Sequence, residues 1–494
     1  MPTPEGAGSV SSALGDVDSD EFTAAARAAL DWISRYLAGV GSYPVMAKVT
    51  PGQVRGSLPA RAPTQPEPLA DILADFESLI MPGVTHWQHP RFLGYFSAAG
   101  SAPGILAELL CAALNVNGML WRTSPALTEL EEVTTAWLRD EMGLPAEMSG
   151  VINDTASTGT LCALAAAREQ ALPDVRRRGM LSQQLRLYMS EEAHSSVEKA
   201  ALLLGVGQDN VVRVPADAEF RMDAGALNAA VRRDRNAGHV PLAIVATVGT
   251  TGVAAVDPVA DIAEVCRREA IWLHVDAAYA GAAALLPEMR WILLGCDRAD
   301  SLVVNPHKWL FAPIDCSVLF CRREDMLRRA FSLVPDYLSS ESDVGVRNLM
   351  DYGVALGRRF RALKLWYIFR AFGSDGIRQR IAAHIAMARG LAARVEVDPH
   401  FELLAPVHFS TVVFRCRPPG LQGAAIDHLN QRIVDAINTS GAAYISHTRV
   451  RDVFAIRIAI GNLHTTEDDL RAVWELVQDK AAQLTEVDAS AGPV

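Results

Sequence analysis

The chain lacks most of what would take it into a membrane or onto a nucleic acid. No apolar stretch approaches the length that spans a bilayer, because runs such as "LAIVATVG" are far too short. The opening "MPTPEGAGSVSSALGDVDSD" has neither a positive n-region nor an apolar h-region, so no signal peptide is expected and a cytoplasmic protein is. No basic run interleaves with aromatics and the net charge is −11, which sets nucleic acid aside as the main partner. The seven cysteines are odd in number and scattered, and no pair shows CxxC spacing. A zinc or redox-pair site is therefore not expected, and scattered cysteines suit a reducing compartment, where most act as small core residues.

What is present is ample core material. Of 494 residues, 50% are hydrophobic and 21% charged, the composition of an ordinary globular protein of about two or three domains. Asp18 to Val40 has helical periodicity, with Phe22, Ala26, Leu30, Ile33 and Leu37 on one face. A long proline-rich loop and a short helix over Leu69 to Ile80 follow, and such a loop is expected to wrap a surface or a partner subunit. "HWQHPRFLGYFSAAGSAPG" reads as irregular structure. From about Ile152 to Phe320 short apolar runs ("RLYMS", "NVVRVP", "LAIVATVG", "IWLHVD", "SLVV", "SVLF") alternate with amphipathic helices. That pattern predicts an α/β domain with a mostly parallel sheet, whose ligands sit at the carboxyl ends of its strands. After Gly373 helices and strands segregate, as in a small α+β domain. The expected division is a helical segment over 1–110, a large domain over 111–373 and a small domain over 374–494.

Four pieces fall near strand ends: "TASTGT" from Thr155, "EEAHSSVEK" from Glu191, "HVDAAYAG" from His274 and "NPHKW" from Asn305. Each has an ordinary structural explanation alone. Ser157 or Thr158 can cap a helix, His194 can sit beside a cap, Asp276 can be an N-cap, and Lys308 can reach solvent. Together they suit one cofactor. Pyridoxal phosphate needs a lysine for its Schiff base, an acid at its pyridine nitrogen, an anion cup and a flat group against its ring. Lys308, Asp276, the turn at Ala156 and Ser157, and the imidazole of His194 supply one of each.

At these residues the chain resembles the group II pyridoxal-phosphate-dependent amino-acid decarboxylases, in particular the aromatic-L-amino-acid decarboxylases. "HPRFLGYF", "SPALTELE", "EEAHSSVEKA", "HVDAAYAG", "NPHKWLFAPIDCS" and "LGRRFRALKLW" carry the resemblance, which runs from about Phe22 to the last helix. It implies a fold-type I (aspartate aminotransferase-like) enzyme. It also implies that Asp276 partners the pyridine nitrogen, that Ala278 touches the ring and that His194 stacks on it. Ala156, Ser157, Ser301, Asn305 and His307 would surround the phosphate, with Thr251 beside the cofactor. "FSLVPDYLSSESDVGVRN" (Phe331 to Asn348) matches an active-site loop, in which Tyr337 would protonate the carbanion. The family is a homodimer with its site at the interface, so Asn117 and Met119 would be lent to the neighbouring site near Gly357, while Trp87, Tyr95 and Phe96 pack the substrate.

The reaction implied is α-decarboxylation of an aromatic L-amino acid (tryptophan, tyrosine, phenylalanine, dopa or 5-hydroxytryptophan), and Gly357 leaves room for an indole. Three departures fall near the pocket: Ala98 where relatives often have threonine or serine, Met119 where they have an aromatic, and Arg122 where they have a small residue. The alternatives are an aromatic acetaldehyde synthase, a decarboxylase of an acidic amino acid such as glutamate, and a cofactor-free regulatory homologue.

Overall fold

The structure is a computed structural model and describes residues 15–180, 184–333 and 345–490. The aromatic stretch expected to be irregular holds one short strand, β1 (Phe92–Leu93). The next seven are β2 (Ser149–Asn153), β3 (Leu185–Ser190), β4 (Val211–Val214), β5 (Val240–Thr247), β6 (Trp272–Asp276), β7 (Ser301–Val304) and β8 (Ser317–Cys321). They form one sheet in the order β2-β8-β7-β6-β5-β3-β4, in which only β8 runs antiparallel to its neighbours. Its central strands are buried on both faces, which is why they read as unbroken apolar runs.

β9 (Phe401–Leu403), β10 (Thr411–Cys416), β11 (Tyr444–Val450) and β12 (Val453–Ala459) build a second sheet in the order β1-β11-β12-β10-β9. β1 joins it by pairing parallel to β11, with Phe92 opposite Tyr444. A two-residue strand leaves no period to read, so only the distant partner makes it visible. The helix expected to begin near Ile377 is part of a longer run, Ala362–Val397, broken at Gly373 (φ 65, ψ 163). Glycine adopts that left-handed conformation without the Cβ clash other residues meet. Helix Ser19–Gly39 buries none of its residues, and Phe22 and Leu30 on its apolar stripe are exposed.

Candidate active site

The site lies where the carboxyl ends of β6 and β7 face the N-terminus of helix Ala156–Ala171. A cavity of about 180 Å3 there is lined by Ala156, Ser157, His194, Asp276, Asn305 and Lys308, among others. A larger space of about 690 Å3 adjoins it, sharing Phe96, His194, Thr251 and Lys308.

Lys308 follows β7 through Asn305 and the single turn Pro306–Trp309. Pro306 presets the first helical position, and Trp309 pins the turn by donating from Nε1 to Nδ1 of His384 at 3.0 Å. Stacking continues the anchor: the Trp309 ring lies 4.9 Å from that of Tyr279, and Tyr279 lies 3.8 Å from Phe96. The Lys308 ammonium is 5.0 Å from the centre of the Phe96 ring. Burial pulls the Lys308 pKa down, opposed by the Asp276 carboxylate and aided by Arg457. A lysine in that state supplies the neutral amine a Schiff base requires.

Asp276 ends β6, and its Oδ1 accepts from the Ala278 N–H at 3.1 Å. His194 accepts at Nδ1 from the Ser196 N–H at 3.2 Å, so its remaining proton sits on Nε2. Burial lowers its pKa and keeps the ring neutral, against the pull of Asp276. Thr155 caps helix Ala156–Ala171 by accepting from the Thr158 N–H at 3.4 Å, and the first-turn N–H groups of Ala156 and Ser157 have no partner within the helix. Gly249, at φ +89, carries the turn into Thr251; a Cβ there would lie 2.6 Å from that of Ala280.

Two buried polar atoms along this cavity have no partner among the described residues, Asn305 Oδ1 and Thr247 Oγ1. Orphaned polar atoms, an anion-binding helix end, a carboxylate and a deprotonatable lysine in one small space match pyridoxal phosphate group for group. The residues fit the cofactor.

The scan of protein families matches residues 51–417 to the pyridoxal-dependent decarboxylase conserved domain. The chain belongs to this family. An aromatic-L-amino-acid decarboxylase of Mus musculus is 38% identical over 484 residues, 95% of this chain and 99% of that protein. The crystal structure of Oryza sativa TDC with PLP and tryptamine superposes with a TM-score of 0.93 at 35% identity, over 95% of this chain and 99% of that one. That of Rhodiola rosea 4-hydroxyphenylacetaldehyde synthase has a TM-score of 0.89 at 33% identity, over 94% and 99%. The fold is therefore the fold-type I architecture of the pyridoxal-dependent decarboxylases, and the cofactor is pyridoxal 5'-phosphate.

The expected cofactor residues are brought together with two exceptions. Ser301 starts β7 fully buried, and its hydroxyl is taken up by Trp272 Nε1 and His274 Nδ1, each at 2.9 Å. It lines neither cavity, so the expectation that it reaches the phosphate is corrected: the strand's length separates it from Asn305. His307 lies behind the lysine, its Nδ1 accepting from the Cys316 N–H at 2.9 Å, which leaves Nε2 without a partner among the described residues. Tyr95 and Phe96 line the larger space, and Trp87 stacks on Tyr95 from outside it at 5.8 Å. Asn117, Met119 and Gly357 lie together elsewhere: Asn117 Oδ1 accepts from the Arg358 N–H at 2.9 Å, and the Met350 N–H donates to Met119 O at 3.1 Å. Tyr337 lies outside the described residues.

The sequence reading missed Arg457. It sits mid-strand in β12 at 3% exposure, with its guanidinium 4.6 Å from the Phe96 ring centre. Nε donates to Gly252 O at 3.1 Å and Nη1 to Tyr95 O, while Nη2 has no partner among the described residues. Burial pulls its pKa down to about 10, and no carboxylate is among the groups that act on it. A buried cation without a counter-ion awaits an anion. The signal was an arginine inside the apolar run "VFAIRIAI", where a charge is costly unless used.

Proposed function

We propose that this enzyme removes the α-carboxylate of an aromatic L-amino acid, giving the amine and carbon dioxide. The observation that carries the reading is the composition of the substrate space beside Lys308. Tyr95 and Phe96 offer flat apolar surface, Arg457 offers its unpaired Nη2, and Glu191, Glu192 and Asp435 place negative charge around the rest. An aromatic side chain packs there, whereas an acidic one meets like charge. Arg122, the residue that kept the glutamate alternative open, is exposed on the short helix Trp121–Thr123 and lines neither cavity of its own protomer.

Once bound, pyridoxal phosphate supplies an electron sink for the pair left on the α-carbon. The residues supply the rest. The helix end at Ala156 and Ser157, with Asn305, would hold the phosphate, and His307 would back that cup from behind Lys308. Asp276 would keep a proton on the ring nitrogen, and His194 and Ala278 would lie against the ring. Lys308 presents its amine to the aldehyde. Arg457 would bind the substrate carboxylate. Its Nη2 group, whose two N–H bonds have no partner among the described residues, would orient that carboxylate. Tyr337 delivers the proton that replaces carbon dioxide.

The enzyme is proposed to be a cytoplasmic homodimer, divided as 1–110, 111–373 and 374–494. Apolar side chains left exposed on helices Ser19–Gly39 and Ala102–Leu114 (Phe22, Leu30, Leu106, Leu110) support a partner subunit. So does the placement of Asn117, Met119 and Gly357 away from the cofactor cavity and the adjoining space of their own protomer.

The likeness to an aldehyde synthase of this fold favours one second reading, an oxygen-consuming route to the aldehyde. The test is product analysis in air of the cofactor-loaded enzyme with tryptophan, tyrosine, phenylalanine, dopa, 5-hydroxytryptophan and glutamate. Aromatic amine without peroxide is expected. Aldehyde with peroxide and ammonia would establish the second reading, and turnover of glutamate alone would overturn the aromatic assignment.

A further inference from the structure

Behind the cofactor cavity lies a buried hydrogen-bond chain with no assigned part in the reaction. His274 stands two residues before Asp276 on β6, so the two side chains share a face of the sheet. Its Nε2 is 3.2 Å from Thr160 Oγ1 and its Nδ1 2.9 Å from Ser301 Oγ, which also accepts from Trp272 Nε1 at 2.9 Å. All four residues have 0% exposure. Burial holds the imidazole neutral, although the carboxylate of Asp276 is close enough to act on it.

The chain joins the three elements that carry the cofactor groups. Thr160 is one turn into helix Ala156–Ala171, whose first turn is the anion cup. His274 is on the strand that ends in Asp276, and Ser301 begins the strand that leads to Lys308. The helix approaches the sheet closely because Gly159 has no side chain: a Cβ there would lie 3.0 Å from Val303 Cγ2. That approach brings the Thr160 hydroxyl within reach of the imidazole. Uncoupled, these groups would be unsatisfied polar atoms in a dry interior, so the chain has one geometry it strongly prefers.

We infer that His274 is a positioning residue, and that the Thr160–His274–Ser301–Trp272 chain sets the distance between the phosphate cup and the carboxylate of Asp276. A neutral imidazole there also leaves the negative charge of Asp276 undivided for the pyridine nitrogen. A protonated one would compete for it. The inference rests on the reading that Asp276 faces that nitrogen.

The test uses the full chain, stripped of cofactor and titrated with pyridoxal phosphate. It reads the dissociation constant and the position of the bound cofactor's absorption band, which responds to the protonation and electrostatic surroundings of the bound cofactor. His274→Phe and Thr160→Val are each expected to weaken the cofactor about tenfold and to move the band, because each leaves a buried polar group without its partner. The double variant is expected to be no worse than His274→Phe, as in one connected chain. A merely structural role would lower the melting temperature and leave the band in place. A His274→Phe protein whose affinity stays within about twofold of wild type, with the band unmoved, overturns the inference. Where His274→Phe does not fold, Thr160→Val decides by the same criteria. Asp276→Asn separates the two levels: unchanged affinity and band in that variant would overturn the ring placement itself, whereas an altered Asp276→Asn beside an unaltered His274→Phe overturns only the positioning role.

Discussion

The two walls of the substrate space are made by different means. One belongs to the seven-stranded sheet, where Asp276 and Lys308 each stand at a strand end and His194 at the end of β3. Parallel strands deliver such residues to one crevice, so local sequence order is enough to gather them. The other wall belongs to the five-stranded sheet. There Arg457 of β12 and Ser446 of β11 grip the Tyr95–Phe96 segment that follows β1. The Tyr95 N–H donates to Ser446 Oγ at 3.3 Å, and the Tyr444 hydroxyl donates to the Tyr95 hydroxyl at 2.7 Å. Gly94 is required for this grip, because a Cβ would run into the Tyr444 ring. The first wall is the one proposed to carry the cofactor chemistry. The second is the one proposed to meet the substrate, and it is assembled from residues more than 300 positions apart.

Substitutions on each wall should separate these roles. Lys308→Ala should abolish turnover, by more than about 10³-fold in kcat, because no other lysine lines either cavity. Wild-type rates in that protein would remove the first wall from the chemistry. Arg457→Met should lower kcat/KM about 100-fold, the worth of a hydrogen bond to a charged group, with cofactor affinity unchanged. Steady-state kinetics beside a cofactor titration would show this, and equal loss of both would erase the distinction between the walls.

Acidification acts mainly through the first wall and its support. His274, His307 and His384 are each held down to about 4 by burial, against an ordinary value of 6.5. The folded chain binds fewer protons than the unfolded one between those values, so their stabilisation is complete above pH 6.5 and is lost as pH falls toward 4. Melting temperature should therefore drop steadily on acidification from neutral pH, and a flat profile would mean these rings take up protons without unfolding. Asp257, raised to about 6 by burial, has the opposite sign and offsets part of the loss, because its folded form gains stability as pH falls below 6. The smallest effect is expected from Tyr444→Phe, which removes one hydroxyl from a half-open phenol pair. KM should rise about threefold, a fraction of a kcal/mol, with kcat and cofactor binding intact. A fall in kcat instead would place Tyr444 in the reaction.

Much of the first wall was legible in the sequence. Lys308, Asp276, His194, Ala156 and Ser157 each sit at an element boundary marked by capping residues, small residues or proline, and boundaries are where local sequence speaks most clearly. Ser301 lies apart from them because it flanks the same strand as Lys308 at the opposite end, away from the cavity. His274 was read past because a histidine inside an apolar strand looks the same whether it fills space or links three elements.

The order of strands and helices, the family and the cofactor's reactive groups follow from the sequence by itself, because periodicity and boundary residues act over a few positions. Tertiary structure alone decided the pairing of β1 with β11, the unpaired Nη2 of Arg457 beside Phe96, and the hydrogen bonds of His274 to Thr160 and Ser301. Each depends on a contact between segments distant in the chain, and the burial that makes an unpaired charge or a buried imidazole costly exists only once both sheets have packed.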